Sequence, residues 1–208
     1  MQPHEIERLS FEIIDAEAGD HDFPADQWPV VRRMIHTSAD FDYIHSVRFS
    51  ENAHTIGVEA LKAGKNVVVD TNMVKSGIRR KLVEGFGGRV ECLMTEPRVA
   101  EIAEERGTTR AKAAVDAALD VMDGGIYVVG NAPTALLRLL ELMDQGKARP
   151  ALVVGLPVGF VKAAESKELL CSSPYSYISN VGRKGGSNIA ASVVNALIVL
   201  ATGREAYE

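Results

Sequence analysis

The chain has 208 residues, of which 46% are apolar and 25% charged, and its formal net charge is −5. This length supports a sizeable core in a single domain, read as residues 1–208, and the composition is that of an ordinary soluble protein. The acidic balance excludes nucleic acid as the main partner.

The two cysteines, Cys92 and Cys171, form no metal spacing and read as reduced thiols. The N-terminus carries acids and no apolar signal core. The most apolar stretch, Ile189 to Ala201, is too short for a membrane span and carries Ser192 and Asn195. The expected location is therefore cytoplasmic, with no membrane partner.

Residues 3–18 read as a first helix, with Ile6, Leu9 and Ile13 on one apolar face. Ser10 lies near that stripe, where a serine commonly bonds back to a carbonyl one turn earlier. A second helix is predicted from about Asp26, as its cap, to His36. His36 is open to two readings: a cation at a helix C-terminus, or an acid/base group. Tyr43 to Phe49 alternates and is expected as an edge strand or extended connection. Ser50 then caps a helix that stops at Gly64.

Asn66 to Asp70 is a buried strand with Asp70 at its carboxyl end. That acid is either a cap for the next turn, Asn72 to Ser76, or a site residue. Arg79 to Arg89 reads as a basic connection and Val90 to Met94 as a strand. A helix starts at Thr95-Glu96-Pro97, and another at Thr108-Thr109-Arg110, running to about Met122. Arg110 at a helix start opposes the dipole. It is either a solvated arginine or a group serving an external anion, with Thr109 beside it.

From Ile126 to Leu170 one pattern is written twice: a β-branched run, a glycine (Gly130, Gly155), a proline (Pro133, Pro157), then a helix. Such units build an α/β fold, a three-layer, mostly parallel sheet with helices on both faces, Rossmann-like in outline. Ligands of such sheets sit at the carboxyl ends of the strands, which places Asn131 and the two glycine turns at one crevice. A last strand, Tyr175 to Ser179, leads into Val181-Gly182-Arg183-Lys184-Gly185-Gly186-Ser187. Glycines, two bases and a helix N-terminus make this loop a candidate anion site, with Ser187 as cap. Lys167 lies on the helix before it. No dinucleotide fingerprint, Walker loop, zinc motif or nucleophile elbow is present in the sequence.

These residues resemble the precorrin-8X methylmutase family, also called precorrin isomerase, over nearly the whole chain. The resemblance rests on Arg33-Met34-Ile35-His36-Thr37, Gly130 to Leu136, Gly155 to Val161, Ala163-Ala164-Glu165-Ser166-Lys167 and Gly182 to Ser187. His36 to Asp42 is similar to the cobalt-precorrin-8 branch. The resemblance implies migration of a methyl group from C11 to C12 of a corrinoid ring by a [1,5]-sigmatropic shift, in cobalamin biosynthesis. It implies no cofactor, no metal from the protein, and a homodimer. It assigns the acid role to His36 and substrate contacts to Ser10 and Arg110. Thr109, Asp70, Asn131, Lys167, Arg183, Lys184, Gly185 and Gly186 complete the expected substrate site. Two rivals are a nucleotide-binding Rossmann-type enzyme, which lacks its fingerprint here, and a corrinoid-binding or channelling protein without turnover.

Overall fold

The computed structural model describes residues 2–203, and Met1 and residues 204–208 lie outside the described part. In chain order the elements are α1 (Pro3–Ala18), α2 (Trp28–Ser38), α3 (Tyr43–Ser46), β1 (Val47–Phe49), α4 (Ala53–Lys62) and β2 (Val67–Val69). Then come α5 (Asn72–Gly77), α6 (Arg80–Gly85), β3 (Val90–Glu91), α7 (Pro97–Glu105), α8 (Arg110–Ala117) and α9 (Leu119–Met122). The double unit supplies β4 (Ile126–Val129), α10 (Pro133–Asp144), β5 (Leu152–Gly155) and α11 (Ala163–Cys171). β6 (Tyr177–Asn180) and α12 (Ser187–Thr202) follow.

The strands form one sheet in the order β1-β6-β5-β4-β2-β3. All neighbours pair in parallel except β1, which runs antiparallel along β6. Side chains alternate across a strand, so each β-branched run feeds two cores. Val67, Val69, Ile126, Val128, Leu152, Val154 and Ile178 face the layer of α2, α4, α5 and α12. Val68, Tyr127, Val129, Val153 and Tyr177 face the layer of α7, α8, α10 and α11. The expected three-layer α/β architecture is the one observed.

Some local expectations are corrected. Tyr43 to Ser46 is a helical turn, and only Val47–Phe49 is strand. Tyr43 and Val47 are both buried, and a spacing of four fits a helix as well as it fits alternation. Asp26 does not cap α2 but pairs with His54 at 2.8 Å. The Ser50 hydroxyl accepts the Tyr177 amide at 2.8 Å instead of capping α4. Pro157 does not open a helix, since α11 begins only at Ala163, whereas Pro133 does open α10. The helix from Arg110 breaks at Ala118, and a short helix lies within Arg79 to Arg89. Gly186, not Ser187, is the N-cap of α12. Ile6, Leu9 and Ile13 are exposed, and α1 presents Glu7 and Ile14 to the core instead.

The start of α12 lies against the end of β4. A Cβ on Gly130 would stand 2.6 Å from Val74 Cγ2 and 2.8 Å from Ser187 Cα. One of those neighbours is backbone and cannot yield cheaply. We expect Gly130→Ala to cost about 1–3 kcal/mol of stability, read as a lower urea midpoint at unchanged slope.

Candidate functional site

The carboxyl ends of β2, β4, β5 and β6 lie on one edge of the sheet, and their following helices diverge to opposite faces. After β2 the chain turns to α5 in one layer, and after β4 to α10 in the other. A second divergence separates β5, leading to α11, from β6, leading to α12. Such points open crevices.

Asp70 occupies the first. It is 2% exposed, and its carboxylate accepts the amides of Gly130 at 3.0 Å and of Asn131 and Ala132 at 2.8 Å each. Burial pushes its carboxyl up from the ordinary range, and the three donors oppose that shift. Asp70 thus shapes the β4–α10 turn and leaves the Asn131 side of the loop exposed. Thr71 caps α5 by accepting the Val74 amide, and its hydroxyl lies 3.3 Å from that of Ser187.

The second crevice is built around Lys167, which is fully buried. Its ammonium donates to Asn180 Oδ1 at 3.0 Å and to the carbonyl of Lys184 at 2.6 Å. Asn180 donates to the same carbonyl at 3.0 Å. Burial without a carboxylate partner lowers the Lys167 ammonium to about 8. The Gly186 amide donates to the carbonyl of Leu156 at 2.9 Å, and the Gly159 amide to that of Arg183 at 3.2 Å. Gly185 has φ +153°, and a Cβ there would collide with the Leu156 carbonyl. This close backbone approach requires glycine.

Lys184 turns away from the loop centre. Its ammonium donates to Asp40 Oδ2 and Asp42 Oδ2, each at 2.6 Å. The pair raises the lysine and holds Asp40 below the usual carboxylate range. This ties the glycine loop to the segment that follows α2. Ala39, in the left-handed region at φ 53°, makes the turn between them.

His36 lies on the last turn of α2, half-buried, with the Phe11 ring edge-on at 5.3 Å. Burial lowers its imidazole below the usual range; the Glu7 carboxylate opposes that and the Arg33 guanidinium adds to it. Glu7 and Arg33 form a buried ion pair at 2.9 Å. Sequence reasoning missed this pair. Its one visible signal was an acid at position 7 on the helix face that also carries Ser10 and Phe11. The Ser10 hydroxyl donates to the Ile6 carbonyl at 2.8 Å.

Arg110 and Thr109 stand apart from this lattice. Thr109 caps α8 by accepting the Lys112 amide at 3.3 Å. Arg110 is exposed and makes no side-chain hydrogen bond or ion pair among the described residues. Arg183 is also exposed, with its guanidinium carbon 5.4 Å from the Phe160 ring centre. Phe160 is 84% and Val161 79% exposed, so the β5–α11 loop offers an apolar surface beside the Arg183 guanidinium. No three His, Cys, Asp or Glu side chains converge on a metal-sized site among the described residues.

The family profile described as precorrin-8X methylmutase (CbiC) matches residues 5–200. The chain belongs to the precorrin-8X methylmutase family. It is 45% identical over 208 residues to the cobalt-precorrin-8 methylmutase of Priestia megaterium, covering 100% of this chain and 92% of that one. It is 43% identical over 202 residues to the precorrin-8X methylmutase of Pseudomonas aeruginosa, covering 96% and 95%. The crystal structure of a precorrin-8X methylmutase from Thermus thermophilus superposes with a TM-score of 0.88 at 45% identity, over 95% of this chain and 98% of that one. The chain is accordingly an enzyme, an isomerase of cobalamin biosynthesis. No helix among the described residues is long and apolar enough to cross a membrane.

Lys167 yields a test of the architecture of the second crevice. Its folded value of about 8 lies below the roughly 10.4 of an unfolded lysine. Between those values the unfolded chain holds more protons than the folded one, so the lysine's contribution to stability rises with pH. We expect the stability difference between the native protein and Lys167→Met to be flat below about pH 8 and to move in the native protein's favour up to about pH 10. Urea unfolding across that range checks it, and a difference flat throughout would contradict the buried, unpaired ammonium.

Proposed function

We propose that this chain moves a methyl group from C11 to C12 of precorrin-8X or its cobalt form by a [1,5]-sigmatropic shift. One C–C bond breaks and one forms within the same molecule, so no oxidant and no net proton enter the balance. The chain acts as one catalytic domain over residues 1–208, in the cytoplasm, as a homodimer. The exposed stripe of Ile6, Leu9 and Ile13 supports that assembly, since an apolar face of this kind suits a protein contact.

His36 is the catalytic residue in this reading. A protonated imidazole donates a hydrogen bond or proton to a ring nitrogen, which draws electron density from the conjugated system and lowers the barrier to migration. The observation that carries the reading is a half-buried imidazole four residues before Asp40, which Lys184 ties to the glycine loop, in a chain matched along its length by methylmutases. Ser10, one turn along α1 from Glu7, Asn131 on its exposed turn, and Arg110, Thr109 and Arg183 supply the remaining substrate contacts. Asp70, Lys167, Lys184, Gly185 and Gly186 act through the backbone, by holding the loops that meet the substrate carboxylates.

The test is the visible spectrum on adding the protein to precorrin-8, metal-free and cobalt-loaded in parallel. Migration changes the conjugation of the ring, so turnover changes its colour. Conversion of one form only would also assign the natural substrate. A perturbation proportional to protein, without turnover, would make this a corrinoid carrier. We expect His36→Ala to keep product binding and lose turnover by about a hundredfold or more. Retained turnover would remove His36 from the acid role. Arg110→Ala should weaken product binding, measured by fluorescence or absorbance titration, and unchanged affinity would take Arg110 out of the site.

A further inference from the structure

The packing of α1 on α2 leaves one charged cluster that the mechanism above does not use. Glu7 and Phe11 stand one turn apart on α1, and Arg33 and His36 one turn apart on α2. Glu7 Oε1 accepts from Arg33 Nη1 at 2.9 Å, and both side chains are largely buried. Glu7 Oε2 is shielded from solvent and accepts no hydrogen bond among the described residues. The Phe11 ring closes the group, 5.3 Å from the Arg33 guanidinium carbon and 5.3 Å from the imidazole centre.

Stability alone does not account for this arrangement. Desolvation offsets most of the attraction in a buried ion pair, and an unpaired carboxylate oxygen costs more. The charges have a target next to them. From α2, the Arg33 guanidinium, on the residue one turn before His36, disfavours a proton there. Arg32, and Arg79 from the connection before α6, act on Arg33. From α1, Glu7 is the anion that opposes them. A general acid must carry its proton at working pH, and a half-buried histidine with a ring against it and an arginine nearby loses it readily.

We propose that Glu7 is a positioning residue for His36: its carboxylate, ion-paired to Arg33 one turn before the imidazole, offsets the guanidinium charge and keeps His36 a proton donor. The proposal rests on His36 being the acid of the methyl migration. Glu7 itself touches no reacting atom.

Glu7→Gln tests it, because the amide keeps an oxygen for Arg33 and removes only the charge. The readouts are the His36 imidazole titration by NMR, and kcat and KM against pH. We expect the titration midpoint to move to lower pH. We expect kcat near neutrality to fall about tenfold, with KM within about twofold of native, and the loss to be recovered on acidification. Glu7→Gln combined with Arg33→Met removes both charges and should bring midpoint and rate part of the way back. A merely structural Glu7 would lose activity equally at every pH and leave the midpoint unmoved.

An unmoved midpoint in folded Glu7→Gln overturns the proposal. If that variant does not fold, the double variant decides. Against Arg33→Met alone the double variant lacks only the Glu7 charge, so its midpoint must lie lower, and an equal midpoint again overturns the proposal. Full turnover in His36→Ala would remove His36 from the acid role and overturn this proposal with it, leaving the methyl migration itself standing. An unmoved midpoint with His36→Ala inactive would overturn the proposal alone.

Discussion

A single buried carboxylate fixes the geometry of the sheet's functional edge. Asp70 stands where the chain leaves β2 for one layer and β4 for the other, and its two oxygens gather three successive amides of the β4–α10 turn. Those amides would otherwise be orphan donors at a helix start, and a carboxylate is the acceptor that satisfies all of them from one side chain. With the turn held in that shape, Gly130 can pass within contact of Ser187, and α12 can begin directly over the strand ends. The apolar body of α12 then fills the core between α2, α4 and α5. The crevice, the central helix and the strand register are therefore set together.

The neighbouring loop follows the same logic with the opposite charge. Lys167 has no carboxylate partner and is held by two oxygen acceptors, one of them the backbone of Lys184. Lys184 in turn reaches outward to Asp40 and Asp42. The glycine loop is thus pinned from beneath by one lysine and tied sideways to the segment after His36 by the other. A chain of charge-assisted contacts links Asn180, the loop and the end of α2, so the position of the imidazole is coupled to that of the loop.

The sequence made the layered sheet legible, because buried parallel strands announce themselves as β-branched runs followed by glycine. It also marked the loops at the carboxyl edge, since a glycine triplet beside two bases has few other uses. What it did not disclose was the direction of each side chain. Asp70, Lys167 and Lys184 are all charged residues at strand or loop ends, and in a linear reading each faces a ligand as easily as the protein. Only the fold shows that the first two are buried against amides and carbonyls and that the third meets two aspartates four and six residues after His36. Glu7 was hidden for the same reason. Its neighbours Ile6, Leu9 and Ile13 define an apolar stripe, and the helix turns that stripe outward to bury an acid. Intramolecular helix packing usually follows the stripe, and here the ion pair with Arg33 sets the rotation of α1.

This rotation bears on the chemistry. Had α1 buried its apolar stripe, His36 would have met only alkyl groups and Arg33, and a histidine in such surroundings sheds its proton. Had the imidazole been left in water, its hydrogen bond to a ring nitrogen would have been weak against a high dielectric. Half-burial beside a paired glutamate lies between those limits. In the proposed role it leaves desolvation to strengthen the bond to the ring, while the glutamate limits the loss of the proton that burial causes. The proposed migration only redistributes electrons within its substrate, so it would need little else from the protein than a proton donor held in place, and a set of loops rigid enough to hold a large anionic ring against it.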